Sequence, residues 1–341
     1  MNYTELAAAA RGGMGPYCKA CPICDGRGCG ASMPGPGAKG RGRVAMRNFE
    51  AWDDVLLRTD PVHAAFEAST RTKVLGRALS IPVLIGPVGD VNRHYGDKYD
   101  TVEYNRYALC AAQEAGTLAF TGDGVNASIM SESLQVMATI GGAGIPTIKP
   151  WSMEIVQEKL DAAIQVGPAA IAMDIDAAGL PFLRGQQPPA GYKDAGQLRE
   201  ISDQCHDAGV PFVLKGVMSP YVAEKAVDAA VDAIIVSNHG GRVLDGVPST
   251  AEVLPDVAAD VSGDVSILVD GGIRSGLDVF RALALGAQAV LMARPFVVAI
   301  YGDGKQGAKD YLAQLADELR DTMEMCGAAT IRDIDEDMLA W

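Results

Sequence analysis

The sequence predicts an α/β fold, a (β/α)₈ TIM barrel with an irregular Cys-, Gly- and Pro-rich N-terminal extension, and three observations predict it. Eight short apolar runs alternate with amphipathic stretches from Ile81 onward, and polar residues stand at the carboxyl ends of those runs. The chain has 341 residues, 48% of them hydrophobic, enough for one large core. A barrel of roughly 250 residues with extensions accounts for that length better than two small domains. The division expected is residues 1–80 as an extension packing on the barrel and residues 81–341 as the barrel itself.

The runs are IPVLIG from Ile81, TLAFTG from Thr117, IPTIK from Ile145, AAIAMD from Ala169, PFVLKG from Pro211, AIIVSN from Ala233, SILVDG from Ser266 and QAVLMA from Gln288. Each is continuous rather than alternating, as parallel strands covered on both faces are. The stretches between them, such as SMEIVQEKLDAAIQ and SPYVAEKAVDAA, read as helices. Ser152 and Ser219 stand at N-cap positions, and Pro220 suits a first helical turn. Eight such units in succession favour a closed barrel over an open doubly wound sheet.

Lys149 follows the third run, Asp174 the fourth, Lys215 the fifth, Asn238 and His239 the sixth, Asp270 the seventh and Arg294 the eighth. In a barrel these ends converge on one mouth, where this fold builds its active sites. Two segments break the rhythm. The loop AAGLPFLRGQQPPAGYK from Ala177 has the length and position of a lid or specificity element. The stretch from Arg11 to Arg43 holds too much Gly and Pro for regular structure.

Composition narrows the partners. With 43 acidic against 29 basic residues the formal net charge is −14, which repels phosphate backbones and anionic lipid. No apolar run approaches the roughly 20 residues of a membrane span, and the start of the chain does not read as a secretory signal. A cytoplasmic, self-associating protein acting on a small molecule is expected, not a nucleic-acid or membrane binder.

The strongest local signal is SNHGGR from Ser237. It sets an imidazole, tight-turn glycines and a guanidinium in one loop after a strand. A histidine on this rim can serve as general base, and Arg242 offers a planar fork for a carboxylate. Asp174 on a neighbouring strand can fix the histidine tautomer. The second signal is LVDGGIRSG from Leu268, with MARP following the eighth run. Loops after strands seven and eight of barrels form phosphate sites, so a phosphate-bearing cofactor or substrate is expected there.

These motifs carry a resemblance. The chain from about Pro211 to Ile334 resembles the FMN-dependent α-hydroxy acid oxidases and dehydrogenases, the group of glycolate and lactate oxidases. The matching stretches are LKG, IVSNHGGR, VDGGIRSGLDVFRALALGA, MARP and TMEMCG. Weaker likeness extends back through AIAMDIDAAG, GTLAFTG, PVLIGPVG and RNF. The resemblance implies an FMN enzyme that oxidises a 2-hydroxy acid, passing a hydride to flavin N5 while His239 takes the proton. It implies that Arg242 holds the substrate carboxylate and that Asp174 pairs with His239. Lys215 and Ser237 would lie against the flavin pyrimidine, Asp270 on the ribityl chain, and Gly272, Arg274, Ala293 and Arg294 around the phosphate. Lys149, Pro87, Val88 and Gly271 complete the implied cofactor contacts. The electron acceptor, whether oxygen, a quinone or a protein, is left open.

The front half departs from the family. Lys149 and Trp151 stand where it carries Gln and Tyr, and Ala172 where it carries Thr. Leu180-Pro181 replaces a second substrate Arg, leaving Arg184 as a displaced candidate, and Tyr17 is the candidate for an N-terminal substrate Tyr. A substrate larger than glycolate or lactate is expected, with Trp151, the 177–193 loop and the Cys-rich segment lining the mouth. Two alternatives remain: an FMN-dependent isomerase of the type 2 isopentenyl diphosphate isomerase kind, which does not usually carry SNHGGR, and a flavin-binding barrel without chemistry.

Cys18, Cys21, Cys24 and Cys29 crowd one segment, whereas Cys110, Cys205 and Cys326 stand alone as candidate core residues. The four admit a zinc or iron–sulfur site, reduced thiols in the substrate wall, or a redox disulfide.

Overall fold

The computed structural model describes residues 1–183, 185–186 and 190–340. Each of the eight apolar runs forms a strand: β1 Val83–Ile85, β2 Phe120–Thr121, β3 Ile145–Ile148, β4 Ile171–Asp174, β5 Phe212–Val217, β6 Ala233–Val236, β7 Ser266–Asp270 and β8 Ala289–Met292. All pair in parallel and in chain order from β2 to β8, and β8 returns to β1 with Val290 opposite Val83. A parallel bridge between Ile85 and Ala119 closes the ring beside β2. The second strand is shorter than its apolar run because its start leaves the ladder. The Thr117 hydroxyl donates to the Val83 carbonyl at 2.6 Å, holding that end to β1 by a side chain.

The lumen is filled by Leu84, Phe120, Ile145, Ala172, Val213, Ile235, Leu268 and Leu291. Val74 and Leu79 from the hairpin Thr72–Val74/Arg77–Leu79 join that cluster, whose members include the strand starts. The hairpin therefore stoppers the amino-terminal end and leaves the carboxyl-terminal mouth as the open one. Burying each large aliphatic or aromatic side chain contributes about 1.5–3 kcal/mol. The outer faces of the strands pack against the surrounding helices in a second, larger core. Helix Pro220–Asp228 starts as expected, with the Ser219 hydroxyl accepting from the Val222 amide. Ser152 stands at its cap position without making that bond. Cys205 and Cys326 are buried, and Cys110 is half-buried.

Helices that precede β1 pack against barrel elements. Helix Tyr3–Ala10 packs on the long C-terminal helix Arg294–Met325, the Tyr3 and Tyr311 rings lying 4.9 Å apart. Helix Arg43–Glu50 lies against the loop after β6, where Asn48 and Asn238 exchange hydrogen bonds of 2.7 and 2.8 Å. Just beyond it the fully buried Trp52 donates from Nε1 to the Gly271 carbonyl at 2.8 Å. This contact ties the extension to the β7 loop. Trp52→Phe is expected to cost about 1 kcal/mol through the lost hydrogen bond, read as a lower urea midpoint with unchanged slope.

Candidate active site

One cavity of about 1230 Å³, counting its open mouth, lies at the carboxyl ends of the strands. Pro87 and Val88 after β1, Lys149 after β3, Asp174 on β4 and Lys215 on β5 all line it. So do His239 and Arg242 after β6, Asp270, Gly271, Gly272 and Arg274 at β7, and Ala293 and Arg294 after β8. Ser237 stands behind this wall, its hydroxyl accepting from Lys215 Nζ at 2.8 Å and from the His239 amide at 3.2 Å. Arg184 lies outside the described residues.

The charges are arranged in pairs. Lys149 Nζ lies 2.5 Å from Asp174 Oδ2, and Lys215 Nζ lies 3.3 Å from Asp270 Oδ2, all four groups at the cavity wall. His239 Nδ1 meets Asp176 Oδ1 at 3.0 Å, while Asp174 Oδ2 is 4.0 Å from Nε2. Asp174 thus stands at ion-pairing distance from a protonated His239, as expected, but the hydrogen bond that could fix the tautomer is made by Asp176. Lys149 draws Asp174 into a closer ion pair of its own.

Burial first, then Lys215 and Lys149, pushes the His239 pKa well below its ordinary 6.5; Asp174 opposes this and Arg242 adds to it. The imidazole is therefore neutral at neutral pH and free to accept a proton. Because the charged form is the disfavoured one, the base survives acidification. The acid limb of the kcat/KM profile is expected below pH 6.5, and a limb above that value would contradict this electrostatic picture. Burial alone would strip a proton from Lys215, but Asp270, Asp176 and Asp174 hold its pKa above the usual 10.5. It remains a cation. Burial lowers Arg242 to about 10, still charged at neutral pH.

Backbone geometry sets the loops. His239, Gly240 and Gly241 all take positive φ (56°, 62° and 78°), turning the chain sharply after β6. A Cβ on Gly240 would meet Arg294 Nη2 at 2.6 Å, and one on Gly272 would meet the Asn48 carbonyl at 1.8 Å. Gly272→Ala should therefore displace the β7 loop, and a clear loss of FMN binding, measured by fluorescence titration, is the expected result.

Other expectations meet different outcomes. Trp151 does not line the cavity; its Nε1 donates to Asp123 Oδ2 at 2.6 Å, and Asp123 also pairs with Lys159 at 2.9 Å. Tyr17 is absent from the lining, and Tyr95, with His94 and Arg93, is present. None of the four clustered cysteines lines the cavity, and among the described residues their sulfurs do not gather within reach of one metal ion. Burial raises Cys18 to about 12 and also raises Cys21 and Cys29, which keeps these thiols protonated at neutral pH. What the segment gives the site is backbone. Arg242 donates to the Gly35 and Pro34 carbonyls at 2.5 and 3.3 Å, and Arg274 Nε donates to the Cys24 carbonyl at 2.7 Å.

Sequence reasoning missed Asp176, Asn48, Asp123, Arg93, His94 and Tyr95. The spacing Asp174-x-Asp176 was a visible signal; the others act through contacts distant in sequence.

The site fits a flavin mononucleotide. Among the described residues, Thr147 Oγ1, Asp174 Oδ1 and Asp270 Oδ1 are buried polar atoms without a hydrogen-bond partner, on residues that line the cavity. Each such atom costs about 1–3 kcal/mol unless a ligand satisfies it. Arg274, Arg294 and the start of the helix Arg294–Met325 offer cationic and backbone donors to a phosphate.

Residues 36–182 and 187–341 match the FMN-dependent dehydrogenase family. The L-lactate oxidase of Roseobacter sp. (strain GAI101) is 32% identical over 339 residues, covering 87% of each chain. A solved mandelate oxidase with 2-hydroxy-phenylacetamide superposes with a TM-score of 0.79 at 27% identity, covering 96% of this chain and 95% of that one. Another mandelate oxidase structure, containing an FMN adduct, gives 0.78 at 26% identity over 97% of each chain.

Proposed function

Because this chain belongs to the FMN-dependent dehydrogenase family, we propose that it oxidises a 2-hydroxy acid to the 2-oxo acid, with His239 as the base. Bound FMN supplies the hydride acceptor. Lys149, Thr147, Asp270, Gly272, Arg274 and Arg294 would hold it, with Pro87 and Val88 against it and Lys215, backed by Ser237, placing a positive charge on it. Arg242 binds the substrate carboxylate and turns the hydroxyl-bearing carbon toward the cavity interior. His239 Nε2 removes the hydroxyl proton as the C–H bond is broken and the carbonyl forms. The observation that carries this reading is a half-buried imidazole three residues from a half-buried guanidinium, both lining one cavity at the strand ends. An isomerase reading leaves that pair without a role.

Two expectations follow for the purified protein. It is yellow and releases FMN rather than FAD on denaturation; the reading is supported by Arg274 and Arg294 lining the cavity after β7 and β8, the place of the phosphate motif in the sequence. Colourless protein that takes up no added FMN would contradict the cofactor reading. Across a series of 2-hydroxy acids, the larger members should give the higher kcat/KM. The reason is a substrate wall holding Phe182, Leu180 and Tyr95, with Arg93 5.4 Å from the Phe182 ring centroid. Glycolate or lactate ranking first would overturn that preference. A cytoplasmic setting accords with seven free thiols, and no described helix is long and apolar enough to cross a membrane.

A further inference from the structure

We propose that Asp176 is the residue that positions His239, fixing its proton on Nδ1, and that Asp174 has been released from this task by Lys149. The inference rests on the reading of His239 as the base.

Three features of the fold build the contact. Asp176 sits on the single turn Ile175–Gly179 that follows β4 directly, which carries its carboxylate under the loop after β6. Its seat is cut by Gly216, next to Lys215. That residue has φ +105°, and a Cβ there would lie 2.8 Å from both Cβ and Cγ of Asp176. A bulge between Lys215 and Val217 makes the same room in β5. From the other side His239 is turned into place by its left-handed backbone and by the hydrogen bond its backbone N–H donates to Ser237 Oγ.

The hydrogen-bond count then assigns the tautomer. Asp176 Oδ1 stands 3.0 Å from Nδ1, and among the described residues His239 is the only side chain Asp176 bonds. Asp174 is too far from Nε2 to bond it, at 4.0 Å, and accepts from Lys149 at 2.5 Å instead. A carboxylate can only accept, so Nδ1 carries the proton and Nε2 keeps its lone pair. That lone pair is what a general base needs. After proton transfer the imidazolium donates to Asp176 in a charge-assisted bond.

The test uses ¹⁵N-histidine NMR of the FMN holoprotein together with anaerobic flavin reduction. The chain has four histidines, and His239→Asn identifies the resonances of this one. Wild type and Asp174→Asn are expected to show the Nδ1–H tautomer, which Asp176→Leu loses. Flavin reduction in Asp176→Leu should slow by about 10- to 100-fold, the worth of one charge-assisted hydrogen bond, with FMN still bound and substrate affinity little changed. Asp176→Asn, nearly isosteric and still able to accept from Nδ1, should keep the tautomer and recover part of the rate; it also decides the matter if the leucine variant does not fold. The proposal is overturned if Asp176→Leu keeps both tautomer and rate, if Asp176→Asn reduces at the wild-type rate or slower than Asp176→Leu, or if Asp174→Asn is the variant that shifts the tautomer. The nitrogen shifts need no turnover. They decide the contact even if no hydroxy acid reduces the wild-type flavin, a result that would refute the reading of the site instead.

Discussion

In His239→Asn, flavin reduction by substrate falls by about 10²-fold or more while FMN remains bound. General acid–base catalysis contributes about 10²–10⁴-fold, and Asn cannot accept the proton at neutral pH. The cofactor should be indifferent to this change. The groups placed on it, Lys215, Asp270, Arg274 and Arg294, come from other strands, and Ser237 still bonds Lys215. Stopped-flow reduction at saturating substrate, beside an unchanged FMN dissociation constant, is the measurement. Wild-type reduction in this variant would remove His239 from the chemistry.

Arg242→Lys should act on binding. In the structure the guanidinium is held in the cavity wall by the Gly35 and Pro34 carbonyls, so its plane is set before a ligand arrives. A lysine keeps the charge but not the fork. Losing one charge-assisted bond is worth about 1.5–3 kcal/mol, a rise in KM of about 10- to 100-fold, with a smaller change in kcat. The rise should be steepest for the shortest acids, which have few other atoms with which to hold on. Equal loss in kcat and no loss in KM would place Arg242 in the chemical step rather than in binding.

How much of this could be read from the chain depends on the range of the interactions. The eight strands were legible because strands buried on both faces are written as continuous apolar runs, and the rim residues because they stand at the ends of those runs. The β2 boundary was less so: whether Thr117 joins a ladder or spends its hydroxyl on Val83 is decided across the barrel. Asp174 was placed on the right strand and near His239, but its closer ion pair with Lys149 was not legible, because it depends on two strand ends meeting in space. Trp151 was expected at the mouth, yet Asp123, 28 residues earlier, turns its indole away. The Cys-rich segment was least legible. Its path is set by carbonyls of Cys24, Pro34 and Gly35 reaching arginines more than 200 residues later, and carbonyls leave no mark in a sequence.

Anaerobic mixing of the FMN holoprotein with aliphatic and aromatic 2-hydroxy acids tests the oxidation itself. The yellow flavin absorbance is expected to bleach with at least one of them, and the 2-oxo acid to form in stoichiometric amount with reduced flavin. A flavin that stays oxidised with every 2-hydroxy acid, yet bleaches with a chemical reductant, would contradict it.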